Sequence, residues 1–264
     1  NPDGDLLIAE MDKAGVDAVV AMTVDFGIPF DERQDVPIED VIEHHAELTQ
    51  KYAGRFYAFF GMDPRRPQMM SALKRAHREL GFKGVKLYPA CGFHVSDPVC
   101  RPVLQYCVEN GLPVLVHTAS VAPPLHPKLA HPIEVSEIAS HYPDIQLIYG
   151  HAGHPYWWQD VLQVARQHPF SIIELSMWNE VALSAPEKFI PILGEMRDRL
   201  GAHRILMGTD FAAGPATVER GHYKQFLDFM RALPEKSGEY GVTFTQQEVD
   251  LIMGDNAVRI LGLT

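Results

Sequence analysis

Three polar residues stand where short apolar runs stop. His117 closes PVLVHT, His151 follows the run in IQLIYGHAG, and Asp210 follows the one in HRILMGTDF. Imidazole nitrogens and a carboxylate are the donor types that hold a divalent metal ion and lower the pKa of a water it carries. Each residue also has an ordinary reading. A lone core histidine is more often structural, and an aspartate here can cap the helix read over 217–233. Three such residues at three strand ends tilt the balance toward a metal site. Lys86 within GVKLY, Tyr88 at its end and Trp178 past FSIIELS are read as substrate-binding candidates, with ion pairing or plain packing as the alternatives.

Residues at strand ends converge only if the strands run parallel, so the intervening elements matter. Helical periodicity covers 3–14, 38–52, 68–80, 97–110, 134–141, 155–167, 186–200, 217–233 and 245–260. Between them lie short β-branched or aromatic runs at 16–23, 56–62, 84–88, 113–117, 145–150, 170–176 and 204–207, of the kind buried on both faces of a parallel sheet. No G-x-G-x-x-G follows a strand, which argues against a dinucleotide-binding sheet. The alternation predicts a TIM (β/α)8 barrel, one domain over 1–264, whose first strand is expected upstream of Asn1 because the chain opens on a helix. Active sites of such barrels sit at the carboxyl ends of the strands, where Lys86, His117, His151, Glu174 and Asp210 fall. The stretch 118–132 carries four prolines together with His126 and His131 and is read as a lid or pocket wall with surface histidines. His154 is read as a polar residue near a helix start. No G-x-S-x-G turn supports a serine nucleophile.

Composition narrows the partners. The net charge of −11 comes with acidic residues scattered along the chain, so there is no basic stripe for nucleic acid. No apolar window is long enough for a membrane span, and NPDGDLL lacks the marks of a signal peptide, so a cytoplasmic protein is expected. Cys91, Cys100 and Cys107 are read as reduced packing residues. A small-molecule substrate is the expected partner, with a homo-oligomer left open.

The strand ends LVHT, YGHAG and GTDF, the closing GDNAVRILGL and the opening LLIAEMDKAGVDAVV resemble the amidohydrolase-related family of the metal-dependent hydrolase superfamily, in the branch that includes aminocarboxymuconate semialdehyde decarboxylase. The resemblance covers nearly the whole chain. It implies that His117 is a metal ligand, and that Asp210 is a ligand which also takes a proton from the water on the metal. His151 would be a second-metal ligand in two-metal members, and a water-activating or charge-stabilising group in one-metal members. Lys86 stands where two-metal relatives carry a carboxylated lysine. A single divalent metal, zinc first, is expected. The family's H-x-H pair is absent from the sequence, and it is expected on the strand preceding Asn1. The activity implied is hydrolysis of a small carboxylated or cyclic substrate. The alternatives are decarboxylation at the same metal centre and a catalytically inactive barrel acting as a binding module. Decarboxylation calls for cationic groups to hold an acidic substrate, and few arginines stand near the expected strand ends.

Overall fold

Apolar runs that never alternate need both faces covered, and that is where they are found. The structure is a computed structural model describing residues 4–211 and 222–263. Contacts divide the chain into two units, Ala18–Ser171 and a second made of Asn1–Asp17 with Ile172–Thr264. The chain opens with α1 (Asp5–Ala14), which belongs to the second unit.

In the unit Ala18–Ser171, five strands pair in parallel in chain order: β1 (Val19–Met22), β2 (Phe56–Phe60), β3 (Gly84–Leu87), β4 (Val114–His117) and β5 (Leu147–Gly150). Their register sets Lys86 beside Leu115 and His117 beside Gly150. Every residue of β3, β4 and β5 is buried, which explains the unbroken apolar pattern. Phe60, Val85, Leu87, Val114, Val116, Leu147 and Tyr149 are wholly inaccessible. Each such large side chain contributes about 1.5–3 kcal/mol by its removal from water. After β1 to β5 come α2 (Ile38–Lys51), α3 (Met69–Arg78), α4 (Arg101–Asn110), α5 (Pro132–His141) and α6 (Trp158–Ala165). Acidic Glu39 and Asp40 open α2, while Arg75, His77 and Arg78 close α3, each favourable to its helix dipole.

The start of α4 differs from the sequence reading for a local reason. Asp97 and Pro98 look like a helix start, yet Asp97 accepts the His94 N–H at 2.8 Å and closes a turn, so α4 begins only at Arg101. Within 118–132, a short 3-10 turn covers Pro127–Ala130, and the His126 N–H donates to the Ala90 carbonyl at 2.8 Å. That bond fastens the proline-rich stretch to the segment following β3.

In the second unit, β6 (Ser171–Glu174) pairs in parallel with β7 (Ile205–Leu206), and α7 (Asn179–Ser184) and α8 (Pro186–Leu200) lie between them in the chain. The short α7 was not expected. Of the helix read over 217–233, residues 217–221 lie outside the described residues, and His222–Arg231 is helical. Arg231 donates to the carbonyls of Ala14 and Gly15, tying that helix to the end of α1. The expected capping box is present: Thr245 Oγ1 accepts the Glu248 N–H, and Glu248 accepts the Thr245 N–H. The helix it opens is interrupted by a π-turn over Leu251–Asp255. The Ile252 carbonyl in that turn accepts from the Met207 N–H at 2.9 Å.

All three cysteines are free and buried, and burial raises each thiol to about 12. Among the described residues, no helix is long and apolar enough to cross a membrane.

Candidate functional site

The parallel strands of the unit Ala18–Ser171 deliver His117 and Tyr88 to neighbouring strand ends, and His151 comes first after β5. Tyr88 stacks on His117 with centroids 4.2 Å apart and an interplanar angle of 26°, and His117 meets His151 edge-on at 4.5 Å. His151 holds a left-handed backbone at φ 68°, an uncommon conformation for a residue other than glycine. Such strain persists only where the surroundings enforce it.

His117 is 3% exposed. Its Nε2–H donates to the Ala119 carbonyl at 3.2 Å, which leaves the lone pair on Nδ1. That Nδ1 is buried and has no hydrogen-bond partner among the described residues. Burial and then the Lys86 charge hold the imidazole pKa well below 6.5, while the Ala119 bond opposes the shift. A neutral ring with an unmatched buried lone pair is costly to leave alone and is what a divalent metal ligand requires. His117 therefore fits a metal.

Lys86 is 5% exposed, and its Nζ lies 5.6 Å from the Tyr88 ring centre. A small cavity beside it is lined by Asp25, Gly61, Asp63, Lys86, Tyr88 and Cys91. Gly61 is required there: a Cβ would stand 2.0 Å from the Thr23 carbonyl oxygen. Asp25 and Asp63 are both buried, and each is gripped by an arginine just past β2. Arg66 Nε and Nη2 donate to Asp25 at 2.6 and 3.0 Å. Arg65 Nε and Nη2 donate to Asp63 at 2.8 and 2.6 Å, and its Nη1 and Nη2 reach the carbonyls of Gly92 and Cys91. Burial would raise the Asp25 pKa, but the Arg66 hydrogen bonds with the Asp63 and Gly27 N–H groups outweigh it and hold Asp25 below the ordinary carboxylate range. The sequence reading assigns no role to these four residues and counts few arginines near strand ends. The signal available was the run DPRR directly after β2.

In the second unit, Glu174 at the end of β6 is 7% exposed and accepts the Ser176 N–H and hydroxyl, both at 2.7 Å. A Cβ at Gly208 would lie 1.5 Å from Glu174 Oε1, so a larger residue there would push this carboxylate aside. Asp210 itself is exposed, with φ 52°. Trp178 is 1% exposed and packs on Phe189 of α8 at 5.9 Å, the environment of a core residue.

His94, Glu134 and Glu137 form a further metal-capable cluster that the sequence reading overlooked, because its members come from the segment after β3 and from α5. His94 Nδ1 meets Ser96 Oγ, and its Nε2 meets Glu134 at 2.6 Å, so the histidine is already engaged. The proline-stretch histidines hold structural contacts: His131 Nδ1 accepts the Ile133 N–H at the start of α5.

A family model described as amidohydrolase matches residues 6–263. No curated protein matches the chain. Among solved structures, the chain is similar to an uncharacterised TIM-barrel protein from Bordetella bronchiseptica, at 21% identity and a TM-score of 0.72 over 98% of this chain and 82% of that one. It is similar to a 5-carboxyvanillate decarboxylase from Novosphingobium aromaticivorans, complexed with manganese and 4-hydroxy-3-methoxy-5-nitrobenzoic acid, at 18% identity and a TM-score of 0.70 over 97% and 79% of the two chains. A 2,6-dihydroxybenzoate decarboxylase from Rhizobium matches at 18% identity and a TM-score of 0.67, over 98% and 88%. These likenesses show the fold, a TIM barrel, as the alternation of elements predicted.

Proposed function

We propose, from the premise that this chain belongs to the amidohydrolase family, that it is a divalent-metal-dependent enzyme that removes the carboxyl group of a small cyclic carboxylate without oxidation. The observation that carries this reading is one ring, Tyr88, that contacts both a metal-type donor and a cation. His117 stacks on it and offers a buried, unmatched Nδ1, and the Lys86 Nζ lies 5.6 Å from its centre. His117 and His151 are the histidines that would hold the ion, and Asp210 is assigned the carboxylate ligand role that its motif implies. When bound, the metal supplies Lewis acidity toward a substrate oxygen. Both zinc and manganese accept imidazole and carboxylate donors, so the ion is proposed as divalent without preference.

Lys86 draws in the substrate's negative charge, an attraction that is stronger where water is excluded. Tyr88 offers its ring face to a cyclic substrate. Loss of carbon dioxide leaves an electron pair on the ring carbon, and that carbon must then take a proton, which Asp210 is proposed to relay from water. The structurally similar aromatic decarboxylases support this reaction class.

Hydrolysis of a small cyclic amide or ester is the second reading, favoured by the family's description. There Asp210 would take the proton of the attacking water, and His151 would stabilise the developing charge.

The test is a panel of hydroxylated benzoates and cyclic amides, supplied with zinc or manganese, followed by chromatography and carbon dioxide capture. The expected result is carbon dioxide released in step with the decarboxylated ring, and a Lys86→Met variant slowed by about a hundredfold or more in kcat/KM. Turnover of amides alone would replace decarboxylation with hydrolysis. No turnover in either class would favour an inactive barrel.

A further inference from the structure

The two adjacent arginines after β2 are used differently. Arg65 spends Nε, Nη1 and Nη2 on Asp63 and on the carbonyls of Cys91 and Gly92. Arg66 spends Nε and Nη2 on Asp25, and Nη2 also reaches Glu32 Oε2 at 2.9 Å. Its Nη1 makes no hydrogen bond among the described residues. One edge of this guanidinium is thus half occupied, by a single oxygen of a side chain that is 54% exposed.

The segment after β1 that carries Glu32 turns tightly beside that contact, closed by the Glu32 N–H on the Gly27 carbonyl at 2.8 Å. Asp31 and Glu32 are consecutive non-glycine residues in the left-handed region, at φ 54° and 55°. A Cβ at Gly27 would stand 2.1 Å from Arg66 Nη2 and 2.4 Å from Glu32 Oε2, so the pair closes over a glycine that leaves it room. Asp25, 4% exposed, fixes the guanidinium from the inner side and lines the cavity.

We infer that Arg66 is a carboxylate-binding group whose Nη1–Nη2 edge takes the carboxylate of a small organic acid, and that Glu32 is the built-in occupant which such an acid displaces. A ligand carboxylate can engage both nitrogens in the parallel two-bond arrangement, where Glu32 supplies one oxygen to one nitrogen. Asp25 and the buried side of the guanidinium stay as they are, so the subsite is made ready before the acid arrives. This inference stands without the metal assignment, since none of these residues is a proposed ligand.

The test is calorimetric titration of the full chain with benzoate, as purified and again after treatment with a chelator. Removing the competitor with Glu32→Gln should tighten benzoate binding by about fivefold, the worth of a half-exposed ion pair. Asp35→Asn removes the same charge from the same segment without touching Arg66, and should change affinity by less than about twofold. Arg66→Lys, checked for folding by circular dichroism, should weaken binding by about tenfold because lysine lacks the forked edge. The same ratios should hold after chelation. Equal effects of Glu32→Gln and Asp35→Asn would overturn the inference, as would benzoate binding that vanishes with the metal or an Arg66→Lys variant that is folded and binds as tightly as the parent.

Discussion

Two buried polar clusters lie within the unit Ala18–Ser171, and they differ in how completely they are satisfied. Asp25 and Asp63 have both oxygens committed to arginine and backbone donors. His117, just as deeply buried, keeps an Nδ1 that nothing in the described chain meets. Buried polar groups are nearly always paired, so the two satisfied aspartates are architecture and the unmatched histidine nitrogen awaits something from outside. The arginine–aspartate pairs hold strand-end segments in place. The histidines are where the proposed metal chemistry is assigned.

The sharpest way to break that contrast is to damage the satisfied cluster. Asp63→Ala leaves Arg65 without its buried partner and should cost about 3 kcal/mol of stability by urea unfolding, with metal binding by the folded protein unchanged. A cost below about 1 kcal/mol would mean that the pair is not structural.

Next comes pH. The folded Asp25 pKa lies below its ordinary 3.8, so its contribution to stability is fully present above that value and is lost as pH falls through the lower folded value. Unfolding curves of the parent and of Asp25→Asn should therefore run parallel near neutrality and converge in acid. A gap that widens in acid would contradict the sign.

The smallest expected effect concerns the cysteines, which belong to packing and to neither cluster. With thiols raised to about 12 by burial, Cys91, Cys100 and Cys107 should stay unreactive toward a thiol reagent at pH 8 until the chain unfolds. Rapid labelling of folded protein, Cys91 included, would show a cavity more open than described.

Much of this was legible in the sequence because it is local. Runs such as GVKLY and PVLVHT give strands at Gly84–Leu87 and Val114–His117, and TQQE gives its capping box. His117 and Tyr88 were placed at strand ends because the end of an apolar run is visible without any partner. What escaped the reading depends on distant pairing. Asp25 meets Arg66 across 41 positions and His94 meets Glu134 across 40, and no periodicity encodes either. Asp97 was misjudged because its side chain serves a turn rather than a helix. The burial of Trp178 against Phe189 likewise depends on α8, which the residues beside the tryptophan do not announce.

The most direct test of the central claim is metal content per chain, measured by plasma mass spectrometry after dialysis against zinc or manganese, for the parent and for His117→Leu. About one equivalent in the parent, none in the variant, and chelated forms equal in stability to within about 1 kcal/mol are predicted, because leucine removes an unsatisfied buried Nδ1 together with a single 3.2 Å bond to the Ala119 carbonyl. A parent that takes up no metal, or a variant that keeps it, would contradict the account.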